Sequence, residues 1–316
     1  MFKSAKDIYF FLVVLYSGSA LTVFRENIGL ILLWAIGLLI FRRETYYTPR
    51  KLLIALGVWV GYFIVNTVII RSFHPYFLFT YVAQIMIAYW LLSYYAARIT
   101  EAYENVIYVL TVISLLFYVV QVLAPEDMLT LFKRIDLSQN LFPRRDYASI
   151  GIYTYHAVGM FDLFPRNSGF TWEPGPFSCY IALAMFFNIV RNGVRLTDRT
   201  RLLVFFIALV STQSSTGFIA LLAILLWYVM SWNNNPVFRI LVIPVSVAVM
   251  ALIYLNVPWL EDKINIEASQ QLEDVMHEAK RSKGSYAPGR FVSLQLRIKD
   301  FQNYPVAGFG GNTKAQ

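Results

Sequence analysis

The feature that most constrains this chain is a series of long apolar runs, separated by short segments that carry arginine or lysine. An α-helix needs about 20 mostly apolar residues to cross the hydrocarbon core of a membrane. The predicted fold class is therefore all-α, a polytopic transmembrane helical bundle of about nine spans with two large segments outside the membrane. By this measure, spans are predicted at 7–24, 27–41, 52–71, 77–96, 106–123, 175–190, 200–213, 216–231 and 239–257.

The composition supports this prediction and argues against other classes of protein. Hydrophobic residues make up 58% of the chain and charged residues 15%, which is unlike an ordinary soluble domain. A net charge of +8 would suggest nucleic-acid binding in a soluble protein. Here the basic residues lie between apolar runs, where they set membrane orientation, so we expect no nucleic-acid partner. The single cysteine, Cys179, cannot form an internal disulfide.

The positions of the basic residues predict the orientation of the bundle. Lysine and arginine are enriched in short cytoplasmic connections. With a cytoplasmic N-terminus, nearly all such residues in short connections fall on that side, and Arg25 and Arg71 are the exceptions. The first apolar run is then a retained helix and not a cleaved signal peptide, since more spans follow it. The two long segments, 124–174 and 258–316, lie on the outer side.

The polar stretch 211–217 decides whether those two long segments share a side of the membrane. Unpaired polar backbone is tolerated at membrane depth only where it is buried in protein or lines a wet cavity. We therefore predict a short hairpin or a broken helix here. One long helix over 200–231 would instead move the C-terminal segment to the cytoplasm. Two roles stay open for the serines and threonines: lining a polar cavity, and helix packing through small residues.

The stretch from Arg166 to Tyr180 carries the strongest signal for a functional site. Arg166 and Glu173 flank a turn rich in glycine and proline, at the mouth of a bundle that is almost free of charge. A guanidinium matches phosphate oxygens bidentately, so Arg166 is a candidate phosphate ligand, or else an interface anchor that reaches lipid headgroups. Glu173 is a candidate general base, or else a helix cap or a partner for Arg166.

Further candidates lie in both long segments. The pattern from Arg290 to Phe301 predicts a helix with an apolar stripe, and places Arg290 and Arg297 on one face. Each of these arginines is a candidate phosphate ligand or an interface anchor. The preceding stretch, 260–283, predicts an amphipathic helix on the membrane surface or on the outer segment.

Aromatic and histidine side chains supply candidate substrate contacts. Trp172 and Tyr155 could stack on sugar rings, although a membrane-interface belt explains such aromatics equally well. His156 is a candidate substrate-binding residue, and with His277 it competes with Glu173 for the role of general base. His74, His156 and His277 are scattered in sequence, so we expect no metal site and no cofactor. Walker, dinucleotide-binding, zinc-protease and nucleophile-elbow motifs are absent from the sequence.

Several motifs in the second half of the chain resemble those of one family. They are Arg166-Asn-Ser-Gly-Phe, Glu173-Pro-Gly-Pro-Phe, Ser214-Ser-Thr-Gly, Gly289-Arg290, and Asp300-Phe-x-x-x-Pro305 with Gly308-Phe-Gly. In kind and order they resemble the O-antigen polymerase and O-antigen ligase family of bacterial inner-membrane proteins. The resemblance covers residues 166–312.

This resemblance implies an activity, a location and partners. Family members act at the periplasmic face on glycans carried by undecaprenyl diphosphate, without nucleotide sugar or metal. The family arginines that engage the diphosphate correspond here to Arg166 and Arg290. The resemblance thus implies a multi-pass inner-membrane protein in contact with membrane lipid. Its substrate is an undecaprenyl-diphosphate-linked oligosaccharide, a chain-length regulator protein is a further partner, and the segments 124–174 and 258–316 are periplasmic.

The resemblance leaves several functions to weigh. A surface-polysaccharide polymerase is the first hypothesis, because the Trp-Glu-Pro-Gly form at 172–175 looks more like the polymerases. Ligases use a periplasmic histidine after the Gly-x-Gly segment, a position that this sequence does not reach. A transporter of lipid-linked solutes would keep polar groups near the bilayer midplane and show paired repeats. The fourth hypothesis is a purely structural membrane subunit.

The domain organisation follows from the same span pattern. We expect one membrane domain over residues 1–316. Because no closing span follows the last outer segment, we also expect the sequence to be a fragment truncated at its C-terminus.

Overall fold

The structure is a computed structural model that describes residues 4–42, 50–70, 73, 75–137, 147–157, 164–192, 199–232, 244 and 290–303. These residues are mostly helical. The helices are α1 (Ala5–Gly18), α2 (Ala20–Ile40), α3 (Arg50–Ile70), α4 (Pro75–Tyr95), α5 (Ile99–Leu123), α6 (Pro125–Ile135), α7 (Pro174–Asn192), α8 (Arg199–Ser211), α9 (Ser215–Trp232) and α10 (Arg290–Asn303). Two short antiparallel strands, β1 (Tyr147–Ser149) and β2 (Thr154–His156), lie between α6 and α7 in the sequence.

Two stretches of the described chain are long and apolar enough to cross a membrane. They are Leu52–Ile69 in α3 and Leu78–Leu123, which runs through α4 and α5. Two shorter apolar helices cover Ile28–Ile40 and Ser215–Ser231. A mostly helical protein with candidate membrane spans is thus observed, whereas the full set of about nine spans stays a prediction.

The first two helices divide at a different residue from the one predicted. The apolar runs predict a break between 24 and 27, but α1 ends at Gly18 and α2 begins at Ala20. Ser19 is extended, with φ −73° and ψ 155°, and its N–H donates to the carbonyl oxygens of Leu15 and Tyr16. The length of an apolar run reflects the thickness of the membrane, whereas local hydrogen bonds decide at which residue a helix ends.

The chain divides into two units, which we describe separately. Unit 1 comprises residues 1–46 and 86–251, and unit 2 comprises residues 47–85 and 252–316. In unit 1, α5 packs against α7 and α8, while α9 packs against α7. The side chains at the centre of this packing are fully buried, among them Ile107, Phe177, Ile181, Phe205 and Leu209.

The polar break within 211–217 is confirmed, because α8 ends at Ser211 and α9 begins at Ser215. The alternative of one long helix over 200–231 is wrong. Small residues serve packing here: a Cβ on Gly217 would stand 2.7 Å from Ser178 Cβ, so only glycine lets α9 approach α7 this closely. The turn 212–214 therefore lies at the same end of unit 1 as the start of α7.

The segment between α5 and α7 forms a small folded cap, which we define as α6, β1 and β2. Its apolar cluster contains Met128, Phe132, Ala148, Tyr153 and Tyr155. The strands pair Ala148 with Tyr155, and Gly151 turns the chain between them with φ 85°. No helix or strand was predicted in this segment. Strands of three residues are too short for an alternating pattern to be read from sequence.

In unit 2, the helix predicted from Arg290 to Phe301 is confirmed as α10. Val292 is buried, while three residues of the predicted apolar stripe are exposed: Leu294, Ile298 and Phe301. The predicted helix 260–283 lies outside the described residues, and so does the predicted span 239–257 except for Pro244.

Candidate functional site

Arg166 holds the turn between α8 and α9 through its guanidinium group. The side chain is half-buried. Its Nε donates to the Thr212 carbonyl oxygen at 3.3 Å, and its Nη2 donates to the Gln213 carbonyl oxygen at 3.3 Å. Gln213 has φ 46°, in the left-handed region that non-glycine residues occupy only at a cost in energy. Arg166 therefore stabilises a strained turn, whatever ligand it also binds.

The Arg166 loop, residues 164–173, is joined to this turn from both sides. Gln213 Nε2 donates back to the Phe164 carbonyl oxygen at 3.0 Å. Asn167 N lies 3.0 Å from the Ser211 carbonyl oxygen, and Asn167 Nδ2 lies 2.9 Å from Ser211 Oγ. Because each segment both donates hydrogen bonds to the other and accepts them from it, the loop and the turn form one structural element.

Asn167 and Gly169 fix the loop against the helices. The buried Asn167 Oδ1 accepts from Ser114 Oγ of α5 at 2.9 Å and from Gly169 N at 2.9 Å. Gly169 has φ 53°, and a Cβ there would stand 2.6 Å from the Phe177 ring. Both its backbone conformation and its surroundings therefore require glycine.

The carbonyl oxygen of Trp172 is bound by His156. His156 Nε2 lies 3.1 Å from it, and since a carbonyl oxygen only accepts, Nε2 carries the proton in this contact. Thr171 Oγ1 donates to the Glu173 carbonyl oxygen at 2.5 Å. The Glu173 side chain itself is exposed. His156 and Thr171 thus position the backbone that carries Glu173, and leave the Glu173 carboxylate facing solvent.

The candidate aromatic residues lie in different surroundings. Trp172 is half-buried, whereas Tyr155 is only 4% exposed within the apolar cluster of the cap. The Tyr155 ring is therefore covered by protein, which disfavours its predicted stacking on a sugar. Burial raises the pKa of Tyr147, and the carboxylates of Asp136 and Glu173 add to the shift. Tyr147 thus stays a neutral phenol beside the Glu173 turn.

The C-terminal candidates belong to unit 2. Arg290 is the first residue of α10, and its side chain lies outside the described part of the chain. Arg297 is exposed on the same helix. The predicted cooperation of Arg290 with Arg166 stays a prediction.

Within the described ranges, no group of three or more His, Cys, Asp or Glu side chains could hold a metal ion. His74 and His277 lie outside those ranges. The expectation of a metal-free site therefore stays a prediction.

A buried ion cluster at the other end of unit 1 was missed by the sequence analysis. Glu104 of α5 is fully buried, and Arg191 Nη2 lies 2.5 Å from its Oε2, while Arg201 Nη1 lies 3.0 Å from its Oε1. Asn188 Nδ2 also donates to Glu104 Oε1, at 2.7 Å. The two ion pairs offset the cost of burying this carboxylate. It lies before the predicted span, since α5 begins at Ile99 and not at the predicted 106. The signal available in the sequence was a carboxylate, Glu104, directly beside an apolar run.

One family model, described as O-antigen ligase, matches residues 201–316. No curated protein matches the chain, and no solved structure does. The matched segment includes the turn 212–214 and α10, whereas Arg166 and Glu173 lie before it. The match supports a membrane glycan function of the O-antigen ligase or polymerase type. Over residues 201–316 the chain is thus similar to the O-antigen ligase family, which confirms over that part of the chain the resemblance predicted from the motifs.

Proposed function

We propose that this chain is a glycosyltransferase that joins undecaprenyl-diphosphate-linked oligosaccharide repeat units at the periplasmic face of the bacterial inner membrane. One observation carries the proposal. The Arg166 loop, which precedes the family-matched segment, is hydrogen-bonded to Thr212 and Gln213 inside that segment. A cation and an exposed carboxylate, Glu173, are therefore attached to the matched domain.

The proposed reaction is a displacement at the anomeric carbon of the donor sugar. A hydroxyl of the acceptor glycan attacks that carbon, and the bond from the carbon to the diphosphate oxygen breaks. The diphosphate leaves with the electron pair, and the proton of the attacking hydroxyl passes to a base. Arg166 and Arg290 stabilise the developing charge, at about 3 kcal/mol for each well-placed donor.

Glu173 is the proposed base. Its carboxylate is exposed, whereas His156 Nε2 already carries a proton that it donates to the Trp172 carbonyl oxygen. Nε2 is thus occupied in positioning the turn, so we assign His156 a positioning role and Glu173 the role of base.

Arg166 has a double role in this proposal. A guanidinium has five N–H donors, and Nε and Nη2 each supply one to the turn 212–214. Its positive charge is retained at every relevant pH. The same side chain thus shapes the turn and supplies the charge that attracts a diphosphate.

The proposal needs both long segments, 124–174 and 258–316, on the periplasmic side. A cytoplasmic N-terminus and about nine spans give that arrangement. The Arg166 loop and the Glu104 cluster lie at opposite ends of unit 1, as expected if they face opposite sides of a membrane.

The proposal is tested in cells by Arg166→Ala and Arg290→Ala. Each variant is expected to lower the amount of long-chain polysaccharide about 100-fold, because a charge that stabilises the leaving diphosphate is lost. Gel ladders of the surface polysaccharide measure chain length, and immunoblots of membranes measure insertion. Arg134→Ala, at an exposed residue of α6, is the matched control and should leave the ladder unchanged. Unchanged ladders for both site variants would remove the proposal.

A ligase is the second candidate, since the family model is described as O-antigen ligase. It differs in the acceptor, which would be a molecule other than a second polyprenyl-linked glycan. Mass spectrometry of the product distinguishes the two: a polymerase lengthens the polyprenyl-linked chain, and a ligase releases the glycan onto the new acceptor. A chain-length regulator is expected to co-purify only with a polymerase.

A further inference from the structure

A cavity of about 600 Å³ lies at the end of unit 1 remote from the Arg166 loop. It opens between the first turns of α1, α5 and α8 and the last turn of α4. Asn105 of α5 is on its wall, whereas Ser114, about 14 Å further along the same helix, contacts the Arg166 loop. Its charged lining residues are Asp7, Arg98, Glu101 and Arg201.

Two of these four charged side chains are held in place before any ligand arrives. Asp7 Oδ1 accepts from the Tyr95 hydroxyl at 2.7 Å, and Asp7 Oδ2 accepts from Ser4 N at 3.0 Å. Arg201 Nη1 donates to Asn105 Oδ1 at 2.9 Å and to the buried Glu104 Oε1 at 3.0 Å, and its guanidinium lies over the Tyr108 ring. Charged groups that are already ordered bind a ligand with a smaller loss of entropy.

The formal charges of the lining are balanced, because it contains two arginines and two carboxylates, and Glu104 with Arg191, which lie next to Arg201, add no net charge. A simple anion would be attracted by Arg98 and Arg201 but repelled by the carboxylates, and a simple cation would meet the opposite problem. A ligand that carries both signs gains from both pairs. The lining therefore selects for a zwitterion.

We propose that this cavity binds the headgroup of a zwitterionic phospholipid that carries a phosphate and a primary ammonium. The phosphate lies with Arg98 and Arg201, and the ammonium, with its three N–H donors, lies with Asp7 and Glu101. A lipid fits better than a soluble zwitterion, because the cavity lies at the ends of apolar helices and Phe10 and Val106 also line it. The inference does not depend on the proposed glycosyltransferase activity.

The test measures headgroup preference with the 316-residue chain purified in detergent. Short-chain phosphatidylethanolamine, phosphatidylcholine and phosphatidylglycerol are titrated, and binding is followed by native mass spectrometry and thermal shift. We expect about tenfold tighter binding of phosphatidylethanolamine than of the other two. Choline has no N–H to donate, and phosphatidylglycerol has no ammonium. Equal binding of all three lipids would overturn the proposal.

Variants of the two exposed rim residues locate the site. Arg98→Gln and Glu101→Gln should each weaken binding of phosphatidylethanolamine about tenfold, because each removes one charge-assisted contact. Arg134→Gln and Glu126→Gln, at exposed positions of α6, are the matched controls and should bind as the parent does. Parental binding by both rim variants would place the lipid elsewhere and contradict the proposal.

Charge reversal gives a sharper outcome. Glu101→Lys makes the lining cationic, so its preference should shift from phosphatidylethanolamine to phosphatidylglycerol. Free phosphoethanolamine is titrated in parallel. Equal affinity for the free compound and for the lipid would identify a soluble ligand and overturn the assignment to a phospholipid.

Discussion

Gly169 is the position in the Arg166 loop where a single methyl group should do most harm. Its φ of 53° is unfavourable for other residues, and a Cβ would stand 2.6 Å from the Phe177 ring. We expect Gly169→Ala to destabilise the protein by about 2 kcal/mol, through backbone strain and overpacking. Thermal unfolding of the detergent-purified chain measures this as a lower Tm.

Gly57→Ala is the control for this substitution. A Cβ at Gly57, within α3, would meet nothing within 4 Å. Alanine is favoured over glycine in a helix by about 1 kcal/mol, so the Tm should be unchanged or higher. A Gly169→Ala protein as stable as its parent would show that the loop relaxes and that glycine is not required.

At the residue scale, sequence patterns identified which residues could carry chemistry, but not which residues they contact. Arg166 and Glu173 were singled out because charge is rare in this chain. The contacts of Gln213 and Ser114 with the Arg166 loop were not predicted, because hydrogen bonds between residues so distant in sequence leave no periodic signal. Tyr155 was predicted to bind sugar from its type alone, and the cap covers it.

At the scale of elements, the cap depends on a hydrogen bond to α5. The Tyr153 hydroxyl donates to Gln121 Oε1 at 2.6 Å, and burial raises the pKa of Tyr153 well above its usual value. Tyr153→Phe is expected to lower stability by about 1 kcal/mol at neutral pH, because the buried Gln121 Oε1 loses the hydroxyl that donates a hydrogen bond to it. Limited proteolysis of the cap measures the loss.

The raised pKa of Tyr153 predicts that the stability of the protein falls at high pH. The folded state favours the neutral phenol, so this contribution to stability is present below the unfolded pKa of about 10 and is lost as the pH rises above it. Tm measured from pH 8 to pH 11 should fall more steeply for the parent than for Tyr153→Phe. Parallel curves for the two proteins would contradict this assignment.

Long elements were more predictable than short ones. The helix break within 211–217 and the helix α10 followed from polar interruptions and apolar spacing. The hairpin of the cap did not, because three-residue strands carry too few side chains for a pattern. The break at Ser19 depends on backbone hydrogen bonds that hydropathy does not encode.

At the scale of the whole molecule, the Glu104 cluster links α5, α7 and α8. Glu104→Gln would leave Arg191 and Arg201 beside a buried neutral amide. Because both arginine side chains are 32% exposed, solvent screens part of the loss, and we expect a destabilisation of about 2 kcal/mol. Glu126→Gln, at an exposed position of α6, should leave the Tm unchanged. Equal Tm values for both variants would show that the cluster contributes no stability.

The membrane character of the molecule follows from composition, since a chain with 58% hydrophobic residues has few alternatives. The pairing of Glu104 with arginines from two other helices does not follow, because it depends on how the helices pack. Basic residues near span ends were interpreted only as orientation signals, and that interpretation concealed the role of Arg191 and Arg201 in packing.

The most direct test of the account is synthesis of a glycosidic bond by the purified chain. The chain is reconstituted in vesicles with a polyprenyl-diphosphate-linked repeat unit, and mass spectrometry follows the glycan. We expect dimers and longer chains with the parent and with Arg134→Ala, and about 100-fold less product with Arg166→Ala or Arg290→Ala. Equal product from all four proteins, or movement of the lipid-linked glycan across the vesicle membrane without a new bond, would contradict the account.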